Sequence, residues 1–271
     1  MLLVSCFCDI WCWFSTFMIQ LDCNIKDKVL LLHVNGNVKV FNYDTQALWI
    51  SLYAVGVGTA VAILPANYYY RYRCIKEGPP RLLTMIFLYA LALSMGFTYG
   101  LLCYFTMELS GNARPGFNYA TLWWDAQNAP ILLPGDIRSL VTKLCLGFTS
   151  IGFGTLYFIA MLLSRRTLHY FASNITLFSK GTVLIQRQLT SALMLQALVP
   201  IVTSVGPCAF LSWCAFFDMD AGVGGMLIYL FLACLPIFSP LATIFTIKPY
   251  RTAVVGVFIT NETSTHYSER S

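Results

Sequence analysis

Charged residues are scarce in this chain. Asp, Glu, Lys and Arg make up 11% of the 271 residues, whereas apolar residues make up 58%. A soluble domain carries roughly 25% charged residues, so this shortage excludes a soluble globular protein of this size. The net charge of +5 includes no basic block of the kind that binds nucleic acid. The composition therefore predicts an integral membrane protein whose main partner is the lipid bilayer.

The sequence also lacks the cysteine spacing of a zinc site or a disulfide framework. None of the ten cysteines forms a CxxC pair, and most lie inside apolar runs, where cysteine behaves as a small hydrophobic residue. We expect no metal and no cofactor. A secretory leader is not indicated either, because the first basic residue is Lys26 and no A-x-A cleavage site follows the apolar start.

Six uncharged or nearly uncharged runs are long enough to cross the roughly 30 Å apolar core of a bilayer. They are residues 1–20, 47–70, 82–107, 144–164, 188–217 and 224–247. The first contains one charge, Asp9, for which three interpretations stay open: a partly neutral acid facing the bundle, a functional group, or a misplaced start of the span. Residues 252–271 are polar and are expected to form a disordered tail.

The connections between the runs differ in predicted structure. Residues 21–46 contain VLLLHV and NVKVFNY on either side of Asn35-Gly36, a pair typical of a tight β-hairpin turn. We therefore expect a small hairpin there, outside the lipid. Residues 108–137 read as a long outer loop broken by glycine and proline, including Pro134 and Gly135.

Basic residues are divided unequally between the two sides of the membrane. Eleven fall in the connections 71–81 and 165–187 and in the chain from 248 onward, against six on the opposite side. The positive-inside rule places the first set in the cytoplasm. With six spans, the N-terminus is then cytoplasmic and the hairpin and the long loop are outside.

A receptor needs an outer pocket, a bundle with two arrangements and an inner docking surface. Prolines inside the runs weaken helices and can act as pivots or as static kinks; the pivot candidates are Pro200, Pro236 and Pro240. Aromatic side chains in the outer halves of the runs suit a small, mostly apolar ligand, although packing is the other role open to each. The candidate ligand contacts are Trp49, Tyr53, Tyr99, Phe148, Phe210, Trp213 and Tyr229.

Short motifs in a fixed order connect the chain to a known family. They are YYYRYR at 68–73, SKGT at 179–182, QRQL at 186–189, ALMLQALVP at 192–200, SPLATIF at 239–245 and KPYR at 248–251. In this order and spacing, over about residues 46–251, the chain resembles the nematode serpentine chemoreceptors of the Str superfamily, and most closely the Srd class.

The resemblance implies a rhodopsin-like, all-α receptor bundle in a plasma or sensory-cilium membrane, which detects an odorant and activates a heterotrimeric G protein. Basic and aromatic residues at the inner helix ends would then contact the G protein, with anchoring in the interface as the alternative role. They are Tyr70, Arg71, Tyr72, Arg73, Arg187, Lys248 and Arg251. Family helices two to seven are recognisable in the six runs, so the first family helix is expected to be missing.

Other classes of protein fit less well. A transporter would show internal repeats and intramembrane ionisable groups, and only Asp9 is charged within a run. An intramembrane enzyme would need histidine or acid at depth, yet His33, His169 and His266 all fall in connections or tail. A truncated receptor fragment that does not signal is the remaining alternative, and the expected absence of the first family helix is the observation that supports it.

Overall fold

The computed structural model describes residues 2–26, 28–110, 131–173 and 205–217, with single positions at 198, 201, 219, 224, 227, 228, 230, 231, 241 and 252. The helices are α1 (Leu2–Ile19), α2 (Tyr43–Lys76), α3 (Leu82–Ser110), α4 (Leu140–Gly147), α5 (Phe153–Ser173) and α6 (Gly206–Phe217). The strands are β1 (Leu21–Lys26), β2 (Val29–Val34) and β3 (Leu132–Asp136). A 3-10 turn, Asn37–Val40, precedes α2, and a π-helical turn, Phe148–Gly152, joins α4 to α5.

The prediction of a helical membrane bundle is confirmed. Among the described residues, three helical stretches are long and apolar enough to cross a membrane: Tyr43–Lys76, Leu82–Ser110 and Leu140–Tyr170. The apolar parts of α1 and α6 are shorter. The number of six spans stays a prediction, since most of the runs 188–217 and 224–247 lies outside the described residues.

Helix α2 extends beyond both ends of the apolar run 47–70. It begins after Asn42, whose side chain caps the first turn by accepting from the Thr45 backbone N–H. It ends at Lys76, and Gly78, two residues beyond, has a left-handed φ of 97° and donates its N–H to the Arg73 carbonyl. Glycine tolerates this conformation, and the prolines that follow cannot continue a helix. The extra turns carry polar and interfacial residues, which an apolar run cannot reveal.

A hairpin lies within residues 21–46, as predicted, but it is built from a different pair of strands. VLLLHV forms β2, which pairs with β1 from Leu21 opposite Val34 to Lys26 opposite Val29. The expected second strand is wrong, because Asn37–Val40 in NVKVFNY forms a 3-10 turn. Gly36 has an ordinary φ of −77°, so Asn35-Gly36 is not a primed turn. Its backbone N–H instead donates to the carbonyl of Ile19 at 2.9 Å. A Cβ at this glycine would collide with the end of α1.

Residues read as a broken outer loop supply a third strand. β3 pairs antiparallel with β2, with Leu133 opposite Leu32, so that the sheet order is β1-β2-β3. Pro134 and Gly135, predicted to break the chain into loop, are part of this strand. Proline is tolerated on an edge strand, because the N–H it lacks need not point into the sheet.

The bundle is centred on α2, which packs against α1, α3 and α5. Its contact with α3 is close because α3 presents Gly96 and Gly100 to it. A Cβ at Gly96 would stand 2.8 Å from the carbonyl oxygen of Val55, and one at Gly100 would stand 2.9 Å from that of Ser51. This GxxxG spacing lets two membrane helices approach backbone to backbone.

The main core continues from the bundle into the sheet. It joins Cys12 of α1, Tyr53 and Val57 of α2, Met107 of α3 and Leu32 of β2. The outer faces of the helices carry exposed large apolar side chains, such as Phe7 at 68% and Phe97 at 57% exposure. Such faces suit lipid, which solvates them as well as protein does.

Candidate functional site: a sheet-capped cavity and a basic helix end

A cavity lies between the ends of α2, α3, α4 and α6, directly beneath the sheet. It is open on one side, and the centre of a water-sized sphere can move through about 100 Å³ of it. Most of its wall is apolar. The side chains that form the wall are contributed by α2 (Ile50, Tyr53, Ala54, Val57), α3 (Tyr99, Cys103, Thr106, Met107), α4 and the π-helical turn (Cys145, Leu146, Thr149), and α6 (Cys208, Leu211, Ser212).

The sheet closes the cavity from one side. Leu30 and Leu32, two residues apart on β2, share a face of the strand and line the cavity with Leu21 of β1 and Gly135 of β3. The hydroxyl of Tyr43 at the start of α2 donates to the Met107 carbonyl near the end of α3, at 2.8 Å. Helices α2 and α3 are thus tied together beside the sheet.

Polar groups in the cavity wall are few and neutral. The Thr149 hydroxyl donates to the Cys145 carbonyl at 2.7 Å, and the Ser212 hydroxyl donates to the Cys208 carbonyl at 2.9 Å. The thiols of Cys103 and Cys145 lie 3.7 Å apart. Such a wall offers weak hydrogen bonding within an apolar surface, which is the composition that suits a small apolar molecule.

The π-helical turn brings two further groups to this region. The Ser150 hydroxyl donates to the Ser212 hydroxyl at 2.6 Å, which links the turn to α6. Phe148 stacks on Tyr99, with ring centroids 6.3 Å apart and planes inclined by 15°. Single π turns inside α-helices are frequent at functional sites, and this one shapes the wall of the cavity.

The aromatic residues suggested as ligand contacts do not all reach the cavity. Tyr53 and Tyr99 line it, and Phe148 supports Tyr99 from behind. Trp49 packs instead toward Phe14 of α1, with centroids 6.4 Å apart. Phe210 and Trp213 are 45% and 57% exposed and do not line the cavity. Tyr229 lies outside the described residues.

Sequence reasoning missed much of this wall. The leucines of the sheet, the thiols of Cys103, Cys145 and Cys208, and the Thr106 hydroxyl all line the cavity. VLLLHV, predicted to be a strand, already places Leu30 and Leu32 on one face, so its pattern held part of this signal. The positions of the thiols in the wall depend only on how the helices pack, and no sequence motif marks them.

The other end of α2 carries the aromatic and basic residues. Tyr70, Arg71, Tyr72 and Arg73 are all half-buried in the last two turns of α2. Arg73 forms an ion pair with Glu77, and Lys76 lies 3.1 Å from the same carboxylate and 5.9 Å from the centre of the Tyr72 ring. Exposed surface pairs of this kind stabilise a helix end only slightly.

Two arginines of α5 lie on the same side of the bundle. Helix α5 runs from the cavity side toward this end, and Tyr68 packs with Ala160 where α2 and α5 meet. Arg165 and Arg166 follow one to two turns later and are exposed. The cluster of arginines on α2 and α5 is therefore at the opposite end of the bundle from the sheet. Arg187, Lys248 and Arg251 lie outside the described residues, as do the pivot candidates Pro200, Pro236 and Pro240.

Outside the membrane-spanning segments, one titratable group stands out near the cavity roof. His33 lies on β2 beside Leu32 and is paired in register with Asp22. Burial lowers the pKa of His33; the nearby Asp22 raises it and Lys39 lowers it. Within the described part of the chain, no three His, Cys, Asp or Glu side chains come together in a way that would hold a metal ion.

Comparison with known proteins identifies the family. Residues 1–256 match the family described as serpentine type 7TM GPCR chemoreceptor Srd. The chain belongs to the Srd chemoreceptor family. The match includes the first 45 residues, which lie before the motifs that carry the sequence resemblance. No curated individual protein and no solved structure matches the chain.

Membership makes the chain a multi-pass membrane protein of a chemoreceptor family, which is not a class of enzymes. The predicted resemblance to Srd receptors is confirmed. The roles of single residues in binding a ligand or a G protein stay predictions. The structure places an apolar cavity with an open mouth at one end of the bundle and an arginine cluster at the other.

Proposed function

We propose that this Srd receptor binds a small apolar odorant in the sheet-capped cavity and transmits the event to a heterotrimeric G protein at the arginine cluster. The observation that carries the proposal is the cavity itself, which lies between four helices and has few polar groups. Binding a molecule there favours whichever packing of the helices fits it best, because a ligand shifts a conformational equilibrium by its differential affinity.

The ligand contacts proposed from the structure are Tyr53 and Tyr99, together with Leu30 and Leu32 of the sheet. The two tyrosines present large ring surfaces from adjacent helices, and the leucines cover the cavity from the sheet. Among the described wall residues no charged side chain occurs. The odorant is accordingly expected to be uncharged, such as a short-chain alcohol, ketone or ester.

A cavity-filling substitution tests this assignment. Ala54 of α2 lines the cavity and is 5% exposed, so Ala54→Phe projects a ring into the space that the ligand would occupy. Ala90→Phe places the same ring on the exposed face of α3 and is the matched control. Cells expressing each variant are exposed to a panel of short-chain alcohols, ketones and esters, and G-protein activation is recorded.

The proposal expects the parent and Ala90→Phe to respond to the same compound and Ala54→Phe to lose the response at equal surface level. Overpacking costs roughly 1–3 kcal/mol, so Leu32→Ala, which enlarges the cavity, serves as a second variant. It is expected to shift the preference toward longer homologues of the active compound. Unchanged responses in both Ala54→Phe and Leu32→Ala would place the ligand elsewhere.

For signalling, the sheet must face outward and the arginine cluster must face the cytoplasm. This orientation is the one that the excess of basic residues predicts, and it puts the cavity where an external odorant arrives. A glycosylation acceptor inserted at Gly111 should be modified, whereas one inserted in residues 165–187 should not. Modification of the second would reverse the orientation and remove the arginine cluster as a docking surface.

A further inference from the structure

Two thiols face each other across a helix contact in the cavity wall. Cys103 of α3 and Cys145 of α4 have their sulfur atoms 3.7 Å apart, which is within hydrogen-bonding range for sulfur. Both line the cavity. A disulfide needs a separation near 2.05 Å, so the sulfurs must approach by less than about 2 Å.

A buried hydroxyl lies beside this pair. Thr106 follows Cys103 by three residues, one turn further along α3, and lines the same cavity. Its oxygen is buried and, within the described part of the chain, makes no hydrogen bond of ordinary length. It neighbours the Cys145 thiol. A buried hydroxyl that is not otherwise engaged can donate to a sulfur that acquires negative charge.

We propose that Cys103 and Cys145 form a reactive dithiol that exchanges with small apolar disulfides entering the cavity. The inference rests on the proposed function in that it takes the cavity as the ligand site. A dialkyl disulfide has no charge and no strong hydrogen-bonding group, so the apolar wall admits it. The paired thiols then distinguish it from a hydrocarbon or a sulfide of similar size.

The exchange takes place in two balanced steps. The sulfur of Cys103, the less buried of the two thiols, attacks one sulfur of the ligand R–S–S–R. A bond forms between Cys103 and S–R, the S–S bond of the ligand breaks, and the departing sulfur takes the thiol proton and leaves as R–SH. Such exchange proceeds through the thiolate, and in the second step the Thr106 hydroxyl can donate to the thiolate of the neighbouring Cys145.

Cys145 then resolves the mixed disulfide. Its sulfur attacks that of Cys103, and the second R–S group departs with the Cys145 proton as R–SH. The two cysteines are oxidised to one disulfide and the ligand is reduced to two thiols, so electrons and protons balance. The product ties α3 to α4 beside the cavity, which restricts the movement of these helices until a reductant restores the thiols.

Diethyl disulfide is the probe, and diethyl sulfide, which lacks the S–S bond, is the matched control compound. The full-length receptor in membranes is treated with each, remaining thiols are blocked, and the peptides are analysed by mass spectrometry without reduction. The expected product is a peptide pair linked through Cys103 and Cys145, formed with diethyl disulfide only and lost after treatment with dithiothreitol.

Variants separate the two steps. Cys145→Ser should stop the reaction at a Cys103 peptide carrying an ethylthio group, and Cys103→Ser should abolish the link. Cys74→Ser, at the exposed inner end of α2, should leave the link intact. If either cavity variant fails to reach the membrane, Thr106→Val in the intact dithiol is expected to slow the formation of the link.

Three results would overturn the inference: no Cys103–Cys145 link in the unmodified receptor, ethylthio groups spread equally over Cys74 and Cys103, or an equal yield with diethyl sulfide. The readout does not need signalling, so its failure is distinguishable from failure of the proposed function. A link that forms without any G-protein response supports the dithiol and counts against the receptor role of the cavity.

Discussion

The most apolar stretches of helices α2 and α3 are comparably apolar and differ sharply in their surroundings. In the most apolar window of each helix, 67% of α2 is buried inside the protein and 17% of α3 is. Helix α2 packs on three helices, whereas α3 shows a broad face of leucine and phenylalanine. Apolar content does not decide which membrane helix is central, because lipid solvates leucine as well as protein does.

Small and polar residues explain the difference better. The buried positions of α2 include Ala54, Gly56, Gly58 and Thr59, distributed around the helix. On α3 the buried small residues are Ala92, Gly96 and Gly100, four residues apart and so in one stripe. A helix with small residues on several faces can approach several helices closely. The single stripe of α3 faces α2, and its contact with α4 is made by larger side chains such as Cys103.

The largest expected effect comes from breaking the α2–α3 contact at its closest point. Gly96→Ala puts a Cβ 2.8 Å from the Val55 carbonyl oxygen, so the helices must separate. We expect a loss of roughly 1–3 kcal/mol in stability, as for other overpacked sites. Thermal unfolding of the purified receptor in detergent measures it.

Gly154→Ala is the matched control, because among the described residues no atom outside the helix's own nearby backbone lies within 4 Å of a Cβ at this glycine of α5. Alanine should there be neutral or stabilising by up to about 1 kcal/mol, since it has the higher helix propensity. Equal changes in unfolding temperature for the two variants would show that the GxxxG stripe does not hold α2 and α3 together.

The ends of the same two helices that are predicted to face the cytoplasm give the second test. Arg71 and Arg73 lie in the last two turns of α2, whereas Arg81 directly precedes α3. If α2 couples the cavity to the G protein, Arg71→Ala with Arg73→Ala should lower G-protein activation strongly at unchanged surface level. Arg81→Ala should have little effect. A fall in surface level with normal signalling per receptor would instead make the α2 arginines membrane anchors.

A polar helix contact provides a smaller test. Ser150 of the π-helical turn donates to Ser212 of α6 at 2.6 Å. A hydrogen bond thus joins these two segments, whereas α2 and α3 meet at glycines. Interhelical hydrogen bonds in membrane proteins average about 0.6 kcal/mol. Ser150→Ala is thus expected to lower the unfolding temperature only slightly. Ser94→Ala removes a hydroxyl bonded only within α3, to the Leu91 carbonyl, and should have less effect still.

The sequence predicted the features of the fold that depend on one segment at a time. The run 82–107 indicates α3, since about 20 apolar residues match the bilayer core whatever packs around them. The partners of a segment were harder to predict. The composition of Asn35-Gly36 fits a hairpin turn, but the fold needs Gly36 for another reason. The chain passes the end of α1 there, and a Cβ would collide with it. Pro134 and Gly135 are typical of a loop, and only the pairing of their segment with β2 makes them part of an edge strand.

The candidate site divides in the same way. Tyr53 and Tyr99 could be proposed from their depth in an apolar run, and both line the cavity. Trp213 had the same depth, but it is 57% exposed and stacks on Phe217, with ring centroids 4.3 Å apart. Depth in the membrane follows from sequence position. The direction a side chain faces follows from which helices are neighbours, and the apolar runs do not encode that.

The smallest expected effect lies in the sheet, which packs in one core with both helices. Burial lowers the pKa of His33 below its ordinary value of 6.5, so the folded protein favours the neutral imidazole. Below pH 6.5 the unfolded chain takes up a proton that folded His33 still resists. The stability that this site contributes is therefore present above about pH 6.5 and declines as the pH falls toward the lower pKa of the folded state.

The test is thermal unfolding in detergent between pH 7.5 and about pH 5. The unfolding temperature should decline less steeply with falling pH for His33→Gln than for the parent. His169→Gln, which alters an exposed histidine of α5, should follow the parent curve. If the unfolding temperature of the parent does not change with pH, or if His169→Gln reduces its change as much as His33→Gln does, protonation of His33 does not weaken the sheet that covers the cavity.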